Sequence, residues 1–223
     1  MKEGWSFPAV EDVPYKLIYL HGFNSASADD KGELLVEKTK LRLLSDMCAE
    51  HGCIFRAPNL DYRNPQGVVK QLIDLAEELD VHASLNDLSF IGTSLGGFMA
   101  EVMARATATN AIMINPAIEP SKSLQRSIGP LENYVTGEKY IWTQENCDAF
   151  KELEWDESGI YAAGISRTVI VDLGDEILDA RQTISRYEGK VALHVFEGGS
   201  HRFDHMEEAL PKILTSMMTV AVC

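Results

Sequence analysis

The stretch Ser89-Phe90-Ile91-Gly92-Thr93-Ser94-Leu95-Gly96-Gly97 decides the fold. Its inner five residues, Gly92 to Gly96, fit Gly-x-Ser-x-Gly, the sharp turn on which a strand hands a nucleophilic serine to a helix. The requirement is steric: the residues two before and two after the serine are pressed against neighbouring backbone, where a side chain has no room. The flanks fit. Leu88–Ile91 is a short apolar run of strand type, and Phe98–Ala106 is rich in helix formers. A motif of three fixed positions also arises by chance, so the rest of the chain has to supply a base, an acid and an oxyanion hole.

Outward from this turn, apolar runs alternate with helical periodicity. Lys16–Leu20 reads as a buried strand that enters the turn His21-Gly22-Phe23-Asn24-Ser25. A helix is expected over Gly32–Glu50, closed by His51-Gly52, then a strand over Cys53–Ala57 and a helix over Pro65–Leu79. After the serine turn and its helix come strands at Ala111–Asn115, Thr168–Leu173 and Val191–Phe196, with helices over Leu178–Tyr187 and Phe203–Val220. This alternation implies an α/β protein with a mostly parallel sheet and helices on both faces. Ligands of such sheets bind beyond the C-terminal ends of the strands. Residues 118–164 interrupt the pattern and read as a short helical cap, with Tyr134, Tyr140, Trp142, Phe150 and Trp155 as its aromatics. The 223 residues suit one domain.

The charge is −14, from 34 acidic and 20 basic residues. A surface of that sign repels nucleic acid and anionic lipid, so neither is expected as a partner. Cys48, Cys53, Cys147 and Cys223 lack zinc or redox spacing, and neither a signal-peptide core nor a membrane-spanning run is seen, so a cytoplasmic protein is expected. Association state is open.

A serine hydroxyl needs a base to take its proton and an acid to hold the base. Among six histidines, His201 lies just after the last strand, in Glu197-Gly198-Gly199-Ser200-His201. His21 ends the first strand and could border the site, while His194 sits within a strand. His201 and His205 have the i, i+4 spacing of a metal pair, but Arg202 stands where a zinc protease motif has glutamate, so neither metal nor organic cofactor is expected. For the acid, Asp175 in Leu173-Gly174-Asp175-Glu176 is best placed, Asp179 is the rival, Asp172 still belongs to the strand, and the Glu176 side chain is expected to point away from that of Asp175. Backbone amides of Leu95, which opens the helix, and Phe23, in the turn after the first strand, are the candidate oxyanion donors.

Together, His-Gly-Phe-Asn-Ser (21–25), Gly-Thr-Ser-Leu-Gly-Gly (92–97), Asn-Pro-Ala (115–117), Tyr-Val-Thr-Gly (134–137) with Tyr140, Gly-Asp-Glu-Ile-Leu-Asp (174–179) with Arg181-Gln182, and Glu-Gly-Gly-Ser-His-Arg-Phe (197–203) resemble the YqiA-type esterases, small bacterial α/β-hydrolases once grouped as an uncharacterised family. The resemblance runs from residue 17 to the C-terminus. Ser200, where members commonly carry Asn, and the extra residues 1–14 depart from it. It implies a serine esterase with Ser94, Asp175 and His201 as triad, in the Ser…Asp…His order of the α/β-hydrolase fold. The expected substrate is a short-to-medium acyl ester, in a pocket that could draw on His21, Asn24, Asn115, Tyr134, Tyr140 and Trp142. An acyl-CoA thioesterase is the nearest alternative, with Arg126, Arg181 and Arg202 as possible cations at the mouth. A C–C bond hydrolase and a catalytically silent binding protein on the same fold are further alternatives.

Overall fold

The six apolar runs are strands, within a residue or two of their expected bounds. β1 (Lys16–Leu20), β3 (Leu88–Thr93), β4 (Asn110–Ile114) and β7 (Arg167–Asp172) are buried along their whole length. Strands covered on both faces carry continuous rather than alternating apolar sequence, which is how these four read. β2 (Ile54–Arg56) and β8 (Ala192–Phe196) are only partly covered and form the edges. The sheet order is β2-β1-β3-β4-β7-β8, and every pairing in it is parallel. The fold is taken from a computed structural model that describes residues 14–29, 31–35, 39–79, 87–154 and 166–218.

Successive side chains of a strand point to opposite faces, and the core divides accordingly. Leu17, Tyr19, Ile91, Ile112 and Ile114 pack with Leu41 and Leu44 of α1 (Thr39–Glu50) and with Ala209 and Ile213 of α7 (Met206–Met218). Ile18, Leu20, Leu88 and Phe90 pack on the other side with Val68 and Leu72 of α2 (Pro65–Glu78) and with Phe98 and Val102 of α3 (Leu95–Thr107). Tyr187, at the end of α6 (Ala180–Tyr187), lies against Met113, Val169 and Val171. Helices therefore cover both faces. No described helix is long and apolar enough to cross a membrane.

Three expectations need correction. Residues 31–35 do not begin a helix. Asp29 Oδ1 accepts the amides of Lys31 and Glu33, Ala28 bridges to Leu34, and Asn59 Oδ1 accepts the amides of Ser27 and Ala28. These local acceptors compete with helical pairing, so the apolar Leu34 and Leu35 pack on the core from a loop. The last helix begins at Met206 rather than Phe203, whose φ of 63° is incompatible with a helix. The segment after β4 is not purely helical. It holds α4 (Pro120–Ser123), a 3-10 turn over Leu124–Ser127 and α5 (Gln144–Asp148), and also an antiparallel hairpin of β5 (Gly129–Glu132) and β6 (Lys139–Trp142). Asn133 Oδ1 accepts the amides of Val135 and Thr136, and Gly137 takes φ 71°, which closes the turn. Leu131, Tyr140 and Trp142 face the core while Glu132, Lys139 and Ile141 face outward. Trp155 lies outside the described residues.

One buried ion pair ties α3 to β7. Both carboxylate oxygens of Glu101 accept from Arg167 Nε at 2.9 and 3.0 Å, and their side chains are 0% and 4% exposed. Burial pushes the Glu101 carboxyl up, against the pull of Arg167. Removing one member of such a pair strands the other charge in low dielectric, so Glu101→Ala is expected to cost about 3 kcal/mol or more in urea unfolding. A loss below about 1 kcal/mol would mean that solvent already compensates Arg167.

Candidate active site

Ser94 stands at the end of β3 with φ 58° and ψ −120°, in the left-handed half of the backbone map that non-glycine residues seldom enter. The strain, on the order of 1–3 kcal/mol, is held by backbone on every side. Its amide donates to Ile114 O, and its carbonyl accepts from Gly97, Phe98 and Ala117. The neighbouring glycines are obligatory. A Cβ on Gly92 would lie 2.0 Å from Gly96 O, and one on Gly96 would lie 2.0 Å from Leu20 O. Those contacts are why the motif tolerates no side chain at either position.

The parallel register Leu20↔Gly92 sets the turn after β1 beside this elbow. A Cβ on Gly22 would stand 3.5 Å from Ser94 Cβ. Phe23 follows at once, and Leu95 is the first residue of α3, so its amide has no carbonyl one turn back. Neither amide has an acceptor among the described residues. Two free N–H groups therefore border the serine, one of them at the positive end of the helix dipole.

Asp175 and His201 come from the turns that follow β7 and β8. The turns are packed together. Gly174 N donates to Gly198 O at 2.6 Å, and a Cβ on Gly174 would lie 2.4 Å from Gly199 O. His201 Nδ1 lies 2.8 and 3.0 Å from the two oxygens of Asp175, and Nε2 lies 3.0 Å from Ser94 Oγ. Because Asp175 accepts, Nδ1 carries the proton and Nε2 faces the hydroxyl as an acceptor. Asp175 Oδ1 also accepts the amides of Ile177 and Leu178 at 2.9 and 2.8 Å. Burial pushes the Asp175 carboxyl up, but the His201 and amide hydrogen bonds outweigh it and hold it below the usual carboxylate range. Ser94, His201 and Asp175 thus form one hydrogen-bonded chain across three strand ends.

The rival acid takes another part. Asp179 caps α6, accepting the Arg181 amide at 3.0 Å. Glu176 does not meet the His201 ring; it accepts the His201 amide at 2.9 Å, and that bond lowers its pKa. His194 is half-buried in β8, where burial and the nearby Lys212 lower its pKa.

The pocket candidates separate. His21, Asn24, Tyr140 and Trp142 line a cleft of about 230 Å³ between the turn after β1, residues 59–63 and the hairpin. Neither Ser94, Asp175 nor His201 lines it. Phe23 joins the two regions: its amide lies beside the serine turn and its ring meets Trp142 edge-on at 4.7 Å. His21 is committed within the fold, with Nε2 accepting Leu60 N at 3.0 Å and Nδ1 bonded to Gly22 O at 2.8 Å. Arg63, paired with Asp61 and Glu138 and lying over the Tyr140 ring, spans the cleft from the loop to the hairpin. Tyr134 is no pocket residue; it projects from the hairpin turn and is 83% exposed. Asn115 is none either. It is buried with φ 40°, and its side chain donates to the carbonyls of Ser200 and His201 at 3.0 and 3.4 Å. Among the described residues, no three His, Cys, Asp or Glu are grouped to hold a metal ion.

A parallel sheet whose third strand runs into a strained serine turn, with an acid and a histidine after its last two strands, has the α/β-hydrolase fold. More narrowly, the chain belongs to the uncharacterised protein family UPF0227, the YqiA family, whose model matches residues 16–217. A UPF0227 protein of Shewanella sp. strain MR-4 is 22% identical over 197 residues, which cover 88% of this chain and 96% of that protein. Similar solved structures share the fold at low identity. Est1E of Butyrivibrio proteoclasticus, solved with ferulic acid, superposes with a TM-score of 0.66 at 14% identity, covering 96% of this chain and 93% of its own. Mouse alpha/beta hydrolase domain-containing protein 10 gives 0.67 at 12%, with 90% and 88% covered. The monoacylglycerol lipase of Paleococcus ferrophilus gives 0.64 at 13%, with 91% and 93% covered.

Proposed function

We propose that this protein is a serine hydrolase of carboxylic esters, acting through an acyl-enzyme intermediate. The observation that carries the reading is the unbroken contact chain from Asp175 through His201 to Ser94 Oγ. In this reading Ser94 Oγ attacks the acyl carbonyl as His201 Nε2 takes its proton. The amides of Phe23 and Leu95 receive the negative charge that develops on the carbonyl oxygen. His201 then hands its proton to the departing alkoxide, and the C–O bond breaks. Water, deprotonated in turn by His201, releases the acid and restores the serine. Asp175 holds the imidazole in its Nδ1–H tautomer and offsets the charge that it gains. Every step draws on side chains and amides of this chain, and the partner required is a small acyl substrate.

Leaving group and acyl length define the test. In the tetrahedral intermediate the leaving group lies towards His201 and the oxyanion towards Phe23 and Leu95. The acyl chain takes the direction left, and we assign it to the modest, part-polar cleft that Phe23 lines beside the serine turn. Short acyl groups fit that space better than long ones. Turnover of p-nitrophenyl esters from acetyl to palmitoyl, run beside the matching acyl-CoAs, is expected to fall by about tenfold or more beyond medium chains. A preference for long acyl-CoA would make the thioester reading primary. Arg126 keeps that reading in play, since it reaches Ile177 O at 3.1 Å beside the acid turn. A folded protein with no turnover on any of these would count against hydrolysis and for a binding role.

A further inference from the structure

Behind the Ser94–His201–Asp175 chain lies a second histidine–carboxylate pair that the proposed chemistry does not use. Asp172, the last residue of β7, has a side chain 0% exposed. Its Oδ1 accepts from His205 Nδ1 at 2.8 Å, and its Oδ2 accepts the amides of Asp204 at 2.8 Å and Ser200 at 3.3 Å. The Gly199 backbone presses onto the same carboxylate, for a Cβ there would lie 2.0 Å from Oδ2. The Asp172 amide donates to Asn115 Oδ1 at 2.9 Å, and Asn115 Nδ2 donates to the carbonyls of Ser200 and His201. The His205 ring stacks on Phe196 at 5.0 Å.

These bonds grip residues 199–205 on both sides of His201. That turn has no helical or strand pairing of its own, and Gly198 and Gly199 both take φ 71°, so its intrinsic freedom is large. A base only about 1 Å from its proper place costs on the order of 100-fold in rate. We propose that Asp172, held by Asn115 and supported by His205, is a positioning residue for His201. The inference rests on the hydrolase reading above. Its content is that the buried carboxylate sets the reach of the base rather than merely stabilising the fold.

Asp172→Asn is nearly isosteric but leaves one acceptor oxygen for three N–H donors, and turns an NH2 group towards at least one of them. The full-length variant is compared with wild type on p-nitrophenyl acetate, with active sites counted by a fluorophosphonate that labels Ser94. A roughly 10- to 100-fold fall in kcat per titrated site is expected, with KM within about threefold. His205→Ala, which removes one of the three donors but spares the carboxylate, is expected to fall less. A purely structural role predicts fewer titratable sites and a lower Tm, with kcat per site unchanged, and that outcome would overturn the proposal. Should Asp172→Asn fail to fold, Asn115→Ala carries the same kcat-against-KM test, and unchanged kcat per site in it would equally reject the idea. If the wild type itself shows no Ser94-dependent labelling or turnover, the hydrolase reading fails first and takes the inference with it.

Discussion

Ser94→Ala is expected to lower kcat on p-nitrophenyl acetate by about 10³-fold or more while leaving the fold intact. The size follows from chemistry. The hydroxyl is the atom that forms the acyl bond, so its loss removes the covalent route and leaves only a site that binds and polarises. The specificity of the test follows from the backbone. Alanine keeps a Cβ and meets the same positive φ that Ser94 bears, and the clashes that enforce the turn arise at Gly92 and Gly96 rather than at residue 94. A Tm within a few degrees of wild type is therefore expected alongside the lost activity. Fluorophosphonate labelling should disappear in parallel. A variant retaining a tenth of wild-type turnover would remove Ser94 from the mechanism, however good its contact with His201.

What could be read in advance, and what could not, follows from how each feature is encoded. The four central strands were legible because burial on both faces demands unbroken apolar runs. The serine turn was legible because sterics admit glycine alone at two spaced positions. The hairpin escaped because only Leu131, Tyr140 and Trp142 face inward, and Glu132, Asn133, Glu138 and Lys139 among them read as a polar connection. The false start of the first helix came from Leu34 and Leu35, apolar at helical spacing but bound into a loop by Asp29 and Asn59, residues whose acceptor roles are invisible to periodicity. Around the site, residues that touch through side chains at strand ends announce themselves by position. Those that act on the backbone of another loop do not. Asp172 read as an ordinary strand residue, Asn115 as a pocket residue and Glu176 as a poorer candidate for the acid, yet all three bond the turn that carries His201. The i, i+4 pair of His201 and His205 was a usable signal. Two histidines one helical turn apart, on an irregular loop rich in glycine, suggest two separate acceptors beneath it as readily as a shared metal.

The acid assignment carries the second large effect. Asp175→Asn is expected to lower kcat by on the order of 10²- to 10⁴-fold, and Asp179→Asn by less than about twofold. The amides of Ile177 and Leu178 both donate to Asp175 Oδ1. In the asparagine variant those donors hold the carbonyl oxygen in place and leave the NH2 group facing His201 Nδ1. The imidazole must then accept there, its proton moves to Nε2, and the nitrogen facing Ser94 Oγ can no longer take the serine proton. Geometry survives while the tautomer is wrong, so the loss should appear in kcat with little change in KM. At Asp179 the side chain caps α6 and takes a long 3.4 Å contact from Gln182 Nε2, tasks asparagine performs nearly as well. A pH test bears on Asp175 directly. A carboxyl held below its unfolded value, about 3.9, contributes stability that is present above that pH and is lost as pH falls through the lower, folded value. The depressed Asp175 pKa thus predicts that wild type loses part of its stability as pH falls below about 4, and that Asp175→Asn loses less over the same interval. If Asp179→Asn proved the crippled variant and Asp175→Asn the active one, the acid would move one helix cap downstream, and the 2.8 Å contact between Asp175 and His201 would have to be structural.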